Sequence, residues 1–453
     1  MKRSFSTVLL YFFAALSSLS CRADDELYVL LGSENALLPL CVSEIDASTA
    51  TLPKEYLKSL NDVLMFDLSH NGMTNAITGN ERERVLINQP KLISEVVNLD
   101  ALRTAELSYY IQTGCLQKTI KAKLYGIQAN SVQTVDTQLT GDIGQDRRII
   151  HKLSDAIFEA LFQKPGVASS KLLFTVKKKS GSSAGTAQLF ECDYDGKNIR
   201  QIGTSNALIT CPRWIPSKNG AKSNACLYVS YQIGQPKLYY SSLKGEKPKR
   251  VTPMRGNQFT ASVSPDGSLI VFASDITGTS DLFIVPFQKE VGAIGKPRHL
   301  FHAKGAACAS PVFSPDGTKI AFVCNKDGSP KIYVMDVPEP TAPLAKMNPK
   351  LLTKKCKENS APSWSLDGKK LAYSAKSSGY RQIWIYDFET GVEKQLTKGS
   401  ENKENPSWGA DSLHLVYNTS GSKNELFLIN LNQIEPTRIV ESPDDVQFAV
   451  FEP

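Results

Sequence analysis

A Gly-x-Ser-x-Gly motif at residues 181–185 has the spacing that carries the nucleophilic serine of many hydrolases. In those enzymes the motif forms a sharp turn between a strand and a helix, which exposes the serine oxygen. Here Ser183 lies in a polar stretch between Phe174 and Phe190, which we predict to lie in two strands of one sheet. We therefore interpret the motif as a flexible loop, and the repeats described below leave no room for a separate hydrolase domain.

The residues that could bind a metal do not have the spacing of any known metal site. The recurring Asp-Gly pairs, at residues 266–267, 316–317 and 367–368, lack the alternating oxygen ligands of a calcium loop, so we assign them to turns. The histidines, at positions 70, 151, 299, 302 and 414, do not form a ligand pattern, and we predict that His151 is a structural hydrogen-bonding residue at a domain interface. Eight cysteines follow Cys21 without a Cys-x-x-Cys pair, and we interpret Cys226 and Cys324 as small buried side chains. The sequence predicts no metal and no cofactor.

The first 23 residues have the three regions of a signal peptide. Lys2 and Arg3 precede an apolar stretch at residues 8–19, and small residues lead to Ala23. We predict cleavage near Ala23 and an exported mature chain; the alternative is lipid attachment at Cys21, although a leucine is preferred where Ser18 stands. No other segment reaches the roughly 18 apolar residues of a membrane span, so we expect no transmembrane span in the mature chain.

Composition and charge limit the class of protein. With 453 residues, 41% hydrophobic and 21% charged, the chain is too long for one ordinary core and has the balance of a soluble globular protein. A polytopic membrane protein and a mostly disordered chain are both excluded. The net charge is +7, of which Lys2, Arg3 and Arg22 contribute three units. This balance is too mild to predict nucleic acid binding.

The elements divide the chain near residue 165. Before it, hydrophobic spacing predicts helices over residues 53–68 and 145–162 and strands over 107–112, 119–127 and 132–139. After it, Ser-Pro-Asp-Gly at residues 264–267 recurs at 314–317, and as weaker copies at 365–368 and 409–412. The period of roughly 44–51 residues is that of a four-stranded propeller blade, with Asp-Gly forming the tight turn.

Six blades are predicted if the run at residues 172–174 counts as the first. That copy has no preceding inner strand, and we predict that residues 446–451 supply it and close the ring. The sequence therefore predicts an α+β multi-domain chain. A small N-terminal α/β domain over residues 24–165 is followed by a six-bladed β-propeller over residues 166–453, closed by the C-terminal strand.

Together, the Asp-Gly blades, the helix over 145–162 and the final segment 448–453 resemble the TolB family, periplasmic propeller proteins of the Tol–Pal system. The similarity covers essentially the whole mature chain, with the largest departure at residues 74–101; the family's last segment reads more like Pro-Ala-Trp-Ser-Pro. The resemblance implies a non-enzymatic scaffold in the periplasm. It also implies a role in outer-membrane integrity and in envelope constriction at cell division.

Two partner surfaces follow from this resemblance. The segments before the inner strands lie opposite the Asp-Gly turns, where loops on a rigid scaffold commonly bind ligands. In the family this rim receives the lipoprotein Pal, and five residues match family rim positions although their identities differ: Asn257, Gln258, Thr260, Ala309 and Ser310. The predicted rim surface also includes Arg255, Ser360, Ala361 and Asn405. An arm at the mature N-terminus is implied to bind the inner-membrane protein TolA. It consists of Glu26, Leu27, Tyr28, Val29, Leu30 and Leu31.

Alternatives remain open for both surfaces. The arm suits a first strand fixed permanently in the α/β domain equally well. A propeller hydrolase or lyase would need acid–base residues at the inner strands, where the chain instead has Pro212, Ala261, Pro311, Pro362 and Pro406. The third hypothesis is that the protein binds another envelope partner, such as peptidoglycan or a secreted protein.

Overall fold

The computed structural model describes most of the chain from Asn35 onward. The described ranges are residues 35–178, 185–203, 205–217, 222–244, 246–289, 291–339, 347–421, 424–442 and 444–453. The predicted signal peptide, the arm at residues 26–31, Cys21 and Ser183 lie outside them. None of the helices within these ranges combines the length and apolar character needed to cross a bilayer.

The N-terminal domain is a six-stranded mixed sheet covered by helices. Its strands are β1 (Leu38–Val42), β2 (Asp46–Ala50), β3 (Thr74–Ala76), β4 (Tyr109–Gln117), β5 (Thr119–Gly126) and β6 (Ser131–Gln138). Its helices are α1 (Lys54–Ser69), α2 (Gly79–Leu86), α3 (Leu99–Thr104) and α4 (Ile143–Phe162). The order is β3-β1-β4-β5-β6, with β2 also paired to β4; β1 runs parallel to β3 and β4, and β4 to β6 form an antiparallel meander.

The two long helices pack their apolar faces on this sheet. Leu60 and Leu64 of α1 and Ile150 and Ile157 of α4 are fully buried in one cluster with strand residues. The Asp142 side chain caps α4 by accepting a hydrogen bond from the backbone N–H of Gln145 at 2.8 Å. Both helices are confirmed close to their predicted bounds, because their buried residues recur with the period of a helix.

Several N-terminal elements were not predicted. Strands β1, β2 and β3 have three to five residues each, too few to show an alternating pattern. Helix α2 contains no buried residue, so it has no apolar face for periodicity to reveal. The strand predicted over residues 107–112 runs instead from Tyr109 to Gln117, because Gln112 and Thr113 are buried polar residues within it.

Six antiparallel blades follow, and the fold prediction is confirmed. Blade 1 contains β7 (Lys171–Lys177), β8 (Ala187–Asp193), β9 (Arg200–Gln201) and β31 (Asp445–Phe451). Blade 2 contains β10 (Ile209–Trp214), β11 (Ala225–Ser230), β12 (Lys237–Ser242) and β13 (Lys249–Arg250). Blade 3 contains β14 (Gln258–Val263), β15 (Leu269–Ser274), β16 (Asp281–Gln288), β17 (Gly292–Ala293) and β18 (Arg298–Phe301).

The remaining three blades have four strands each. Blade 4 contains β19 (Cys308–Phe313), β20 (Lys319–Cys324), β21 (Lys331–Asp336) and β22 (Lys350–Leu351). Blade 5 contains β23 (Asn359–Trp364), β24 (Lys370–Ser377), β25 (Tyr380–Asp387) and β26 (Glu393–Gln395). Blade 6 contains β27 (Asn402–Trp408), β28 (His414–Ser420), β29 (Leu426–Asn430) and β30 (Gln433–Val440). In every blade the first-named strand lies innermost, except that β31 is the inner strand of blade 1.

The C-terminal strand closes the ring as predicted. Strand β31 pairs antiparallel with β7, with Val450 opposite Leu173 and Phe451 opposite Leu172. It also contacts β27 on one side and β10 on the other. The last strand of the chain therefore completes the first blade.

The repeated Asp-Gly turns have the predicted chemistry. In blade 3 the Ser264 hydroxyl donates to Asp266 at 2.5 Å, and Asp266 accepts the backbone N–H of Ser268 at 3.1 Å. Gly267 has a φ of 72°, in the left-handed region that glycine tolerates best. These turns define one face of the propeller, called below the Asp-Gly face.

Candidate functional site

The N-terminal domain contacts the Asp-Gly face. The side chains of Asn432 and Gln433, in a turn of blade 6, each donate at 2.7 Å, to the backbone oxygens of Gly72 and Ser69 respectively. Arg147 of α4 pairs with Asp195 in a turn of blade 1. Because strand direction alternates, the segments that precede the inner strands lie on the opposite face, called below the rim.

A β-bulge recurs at one position of the inner strands. The pairing register shifts there in all six blades. In five of them a residue other than glycine is left-handed, with φ between 49° and 56°: Cys211, Ser310, Ala361, Asn405 and Phe448. Such a conformation is strained for these residues and persists only where its surroundings hold it. Bulges of this kind are common next to functional sites.

Four of the predicted rim residues lie at this bulge. Ser310, Ala361 and Asn405 are left-handed residues of blades 4, 5 and 6, and Thr260 has the matching position in blade 3. The backbone N–H of Ser310 donates to the Thr260 hydroxyl at 2.8 Å, which ties neighbouring inner strands together. The structure therefore places these four residues one per blade, at the third or fourth residue of each inner strand.

Four further predicted residues lie beside the bulge. Arg255 is exposed, and Ala309 is half-buried one position before Ser310. The backbone and side-chain N–H groups of Asn257 donate to the two carboxylate oxygens of Asp275, each at 2.7 Å. The Ser360 hydroxyl accepts from the guanidinium of Arg381 at 3.2 Å.

Gln258 is not on the surface of the rim, contrary to the prediction. Its side chain is fully buried. The side-chain oxygen accepts the N–H of Leu238 at 3.1 Å, and the side-chain N–H donates to the Met254 oxygen at 3.1 Å. Gln258 satisfies backbone groups where the strand ladder is interrupted, so its role is internal.

A charged cluster on the rim was missed from the sequence. Arg381, at the start of β25, lies 3.2 Å from Glu358 and 3.6 Å from Glu404. Lys376 lies 3.4 Å from the same Glu358. The rim prediction covers the segments before inner strands, whereas the turn between the second and third strands of a blade reaches the same face. Strand alternation alone could have identified Arg381.

A buried ionic network joins the two domains. Nδ1 of His151 lies 2.9 Å from the carboxylate of Asp67, which also accepts the Ser154 hydroxyl at 2.7 Å. Nε2 of His151 faces Asp195 of the propeller at 3.8 Å. Burial works against the charged imidazole, but Asp67, Asp195 and Asp193 outweigh it and raise the pKa of His151. His151 is therefore a structural residue at the domain interface, as predicted.

The same network contains the one metal-like cluster among the described residues. Ligand atoms of His151, Asp193 and Asp195 lie within 4.8 Å of one another. However, Asp195 already pairs with Arg147, and Asp193 lies 3.3 Å from Arg148. Because two guanidinium groups already neutralise these carboxylates, the geometry favours an ion-pair network over a metal site.

Known proteins are similar to this chain in both sequence and fold. The family model described as TolB beta propeller domain matches residues 158–453. Protein TolB homolog of Protochlamydia amoebophila is 42% identical over 377 residues, covering 82% of this chain and 80% of the relative. Protein TolB homolog of Chlamydia trachomatis serovar D is 34% identical, covering 84% of this chain and 80% of the relative.

A solved structure agrees with the fold. TolB from Acinetobacter baumannii matches with a TM-score of 0.76 at 20% identity, covering 94% of this chain and 98% of that protein. The resemblance inferred from the blades, the long helix and the closing strand is confirmed. On the family model and the sequence identities, the chain belongs to the TolB family.

Proposed function

We propose that this protein is a non-enzymatic, periplasmic component of the Tol–Pal system that supports outer-membrane integrity and envelope constriction at division. The observation that carries the proposal is membership of the TolB family. Prolines at the inner-strand positions where an enzyme would need acid–base groups support the absence of catalysis. The division of the mature chain near residue 165 and cleavage near Ala23 belong to the same proposal.

The rim is the proposed binding surface for a Pal-like lipoprotein. Its support is the set of bulge residues that recur in the inner strands, together with the contacts of the described N-terminal domain, which lie on the opposite face. Such strained positions are pre-organised, so a partner would not have to order them on binding. The proposed contacts are Arg255, Asn257, Thr260, Ala309, Ser310, Ser360, Ala361 and Asn405, with Arg381 added from the structure.

The segment before Asn35 is the proposed binding arm for a TolA-like inner-membrane protein. Asn35 donates its backbone N–H to the side-chain oxygen of Asn432 at 3.0 Å, which anchors the base of the arm to the propeller. We propose that the arm exchanges between docked and free states. Binding at the rim shifts this exchange if the Pal-like protein has a different affinity for the two states.

A charge reversal on each face tests the rim. Arg255→Glu changes an exposed rim residue, and Lys244→Glu makes the same change at an exposed residue of the Asp-Gly face. In calorimetric titration with the soluble domain of the lipoprotein, we expect Arg255→Glu to weaken binding about tenfold, and Lys244→Glu to leave it unchanged. Equal effects of the two variants would remove the rim from the proposal.

Deletion of residues 25–35 tests the arm. We expect a folded protein that still binds the Pal-like domain but no longer binds the TolA-like domain in a pull-down. Global unfolding, seen as loss of far-UV circular dichroism, would instead favour a permanent first strand. Binding of both partners by the truncated protein would eliminate the arm.

A further inference from the structure

A cavity of about 600 Å³ occupies the half of the propeller channel nearer the Asp-Gly face. It is surrounded by the ends of the inner strands of all six blades, and Pro165, just after α4, lies at its wall. Its volume is in the range of pockets that hold small molecules, about 300–1,000 Å³. Its lining begins directly after the bulge, where Pro362 and Pro406 follow Ala361 and Asn405, and it extends from there to the Asp-Gly turns.

One position of each inner strand contributes to the wall of this cavity. The six residues there are Arg213, Ser262, Val312, Ser363, Ser407 and Val450. Large apolar residues follow directly in the same strands and line the same space: Trp214, Phe313, Trp364, Trp408 and Phe451. The wall therefore combines apolar and aromatic side chains with one cationic side chain and six serines, three of them at this inner-strand position.

Arg213, the cation at this wall, has no carboxylate partner in the part of the chain that the structure describes: no carboxylate oxygen there lies within ion-pair distance of its guanidinium. Its hydrogen bond goes to the backbone oxygen of Pro212, at 3.1 Å. A guanidinium has five N–H donors, so most of the donors of Arg213 are free for a ligand.

Arg213 is half-buried, and partial desolvation at the cavity wall lowers the pKa of its guanidinium because it imposes a cost on the charged form. A carboxylate that enters the cavity would offset that cost through paired, charge-assisted hydrogen bonds. The hydroxyls of Ser262 and Ser407 each accept a backbone N–H, from Phe313 at 3.3 Å and from Phe451 at 3.1 Å, so their protons are free to donate to an anion.

We propose that this channel cavity binds a small organic carboxylate with an aromatic or apolar body. Arg213 pairs with the carboxylate, the serine hydroxyls add hydrogen bonds, and the tryptophans pack against the body. A bare inorganic anion uses only the first two interactions, and a neutral aromatic molecule uses only the last. The site is separate from the rim and does not depend on either protein partner.

Benzoate is a suitable probe, with benzyl alcohol as its neutral counterpart and inorganic phosphate as a bare anion. Three of the four tryptophans of the chain line the cavity, so intrinsic fluorescence reports occupancy. We expect benzoate to change the fluorescence saturably, and to bind more tightly than either of the other two probes. Benzyl alcohol or phosphate binding as tightly as benzoate would overturn the proposal, as would no binding of benzoate.

Two variants then assign the carboxylate contact. Arg213→Gln removes the charge, and Arg255→Gln is the matched change at an exposed arginine on the rim. We expect Arg213→Gln to weaken benzoate binding about tenfold or more, and to leave benzyl alcohol binding unchanged. The same benzoate affinity in both variants would refute the role of Arg213. If Arg213→Gln does not fold, Arg213→Lys replaces it as the test, because lysine keeps the charge but lacks the planar guanidinium. The comparison of the three probes on the unaltered protein tests the carboxylate preference without any variant.

Discussion

Replacing His151 with glutamine tests whether the ionic network holds the two domains together. The His151 and Asp67 side chains are each 1% exposed, so the substitution leaves a buried carboxylate without its counter-charge. Removing one partner of a buried ion pair costs about 3–5 kcal/mol in the free energy of unfolding. We expect His151→Gln to fall near the lower end, because glutamine can still donate one hydrogen bond to Asp67.

Urea unfolding followed by two probes measures this loss. All four tryptophans lie in the propeller, at positions 214, 364, 384 and 408, whereas far-UV circular dichroism follows helices α1 and α4. We expect the helix signal of His151→Gln to be lost at a lower urea concentration than in the unaltered protein. The double variant Asp67→Asn/His151→Gln should be more stable than the sum of the single changes predicts, since it removes both charges. Strictly additive losses would refute the ion-pair argument.

The pH dependence of stability gives an independent check. The pKa of His151 is raised in the folded protein above its ordinary value of 6.5. Its stabilising contribution is therefore complete below about pH 6.5 and is lost as the pH rises through the folded-state pKa. We expect the unfolding free energy of the unaltered protein to fall across this interval, and that of His151→Gln to fall less. The charged groups that act on the ring are Asp67, Asp193 and Asp195, and the Tyr194 ring packs edge-on against it.

Three further outcomes are expected. Removing residues 446–453 should lower the melting temperature sharply, because Val450 and its buried apolar neighbours each contribute about 1.5–3 kcal/mol; an unchanged midpoint would mean that the ring closes otherwise. The Cys308 thiol donates a hydrogen bond to the Cys324 sulfur across 2.8 Å, which lowers the pKa of Cys324 to about 7. We expect a mild oxidant to join the two sulfurs in a disulfide, so that a thiol titration after denaturation counts two fewer thiols. The same treatment of Cys308→Ser should leave its thiol count unchanged. Ser183→Ala should leave partner binding intact, whereas labelling by a serine-hydrolase probe that disappears in this variant would contradict the non-enzymatic proposal.

The propeller could be predicted from sequence because its signals are local and repeated. Each Asp-Gly turn is fixed by residues within a few positions of one another, as Ser264, Asp266 and Gly267 show. The closing strand was inferred from what the first blade lacked, and its pairing with β7 agrees. The short strands β1 to β3 could not be predicted, because their positions depend on the sheet around them and not on their own pattern.

The rim was predictable by position and not by exposure. Thr260, Ser310, Ala361 and Asn405 share a place in the repeat, which sequence alignment of the blades can recover. Gln258 is buried because the pairing of its strand with β15 shifts register next to it. The residue types in the sequence do not indicate this shift. The place of Arg213 in the cavity depends likewise on which strands face each other across the ring. Such long-range proximity is absent from any window of the sequence.

The closure by β31 has a consequence for how the protein is made. The Thr175 hydroxyl donates to the Gln447 oxygen across 272 positions of the chain, so blade 1 is the first to be synthesised and the last to be completed. Contacts this distant in sequence slow folding, and an incomplete chain keeps the edge of β7 unpaired. An unpaired edge of this kind can pair with other chains, so a fragment that lacks β31 is expected to aggregate more readily than the closed ring.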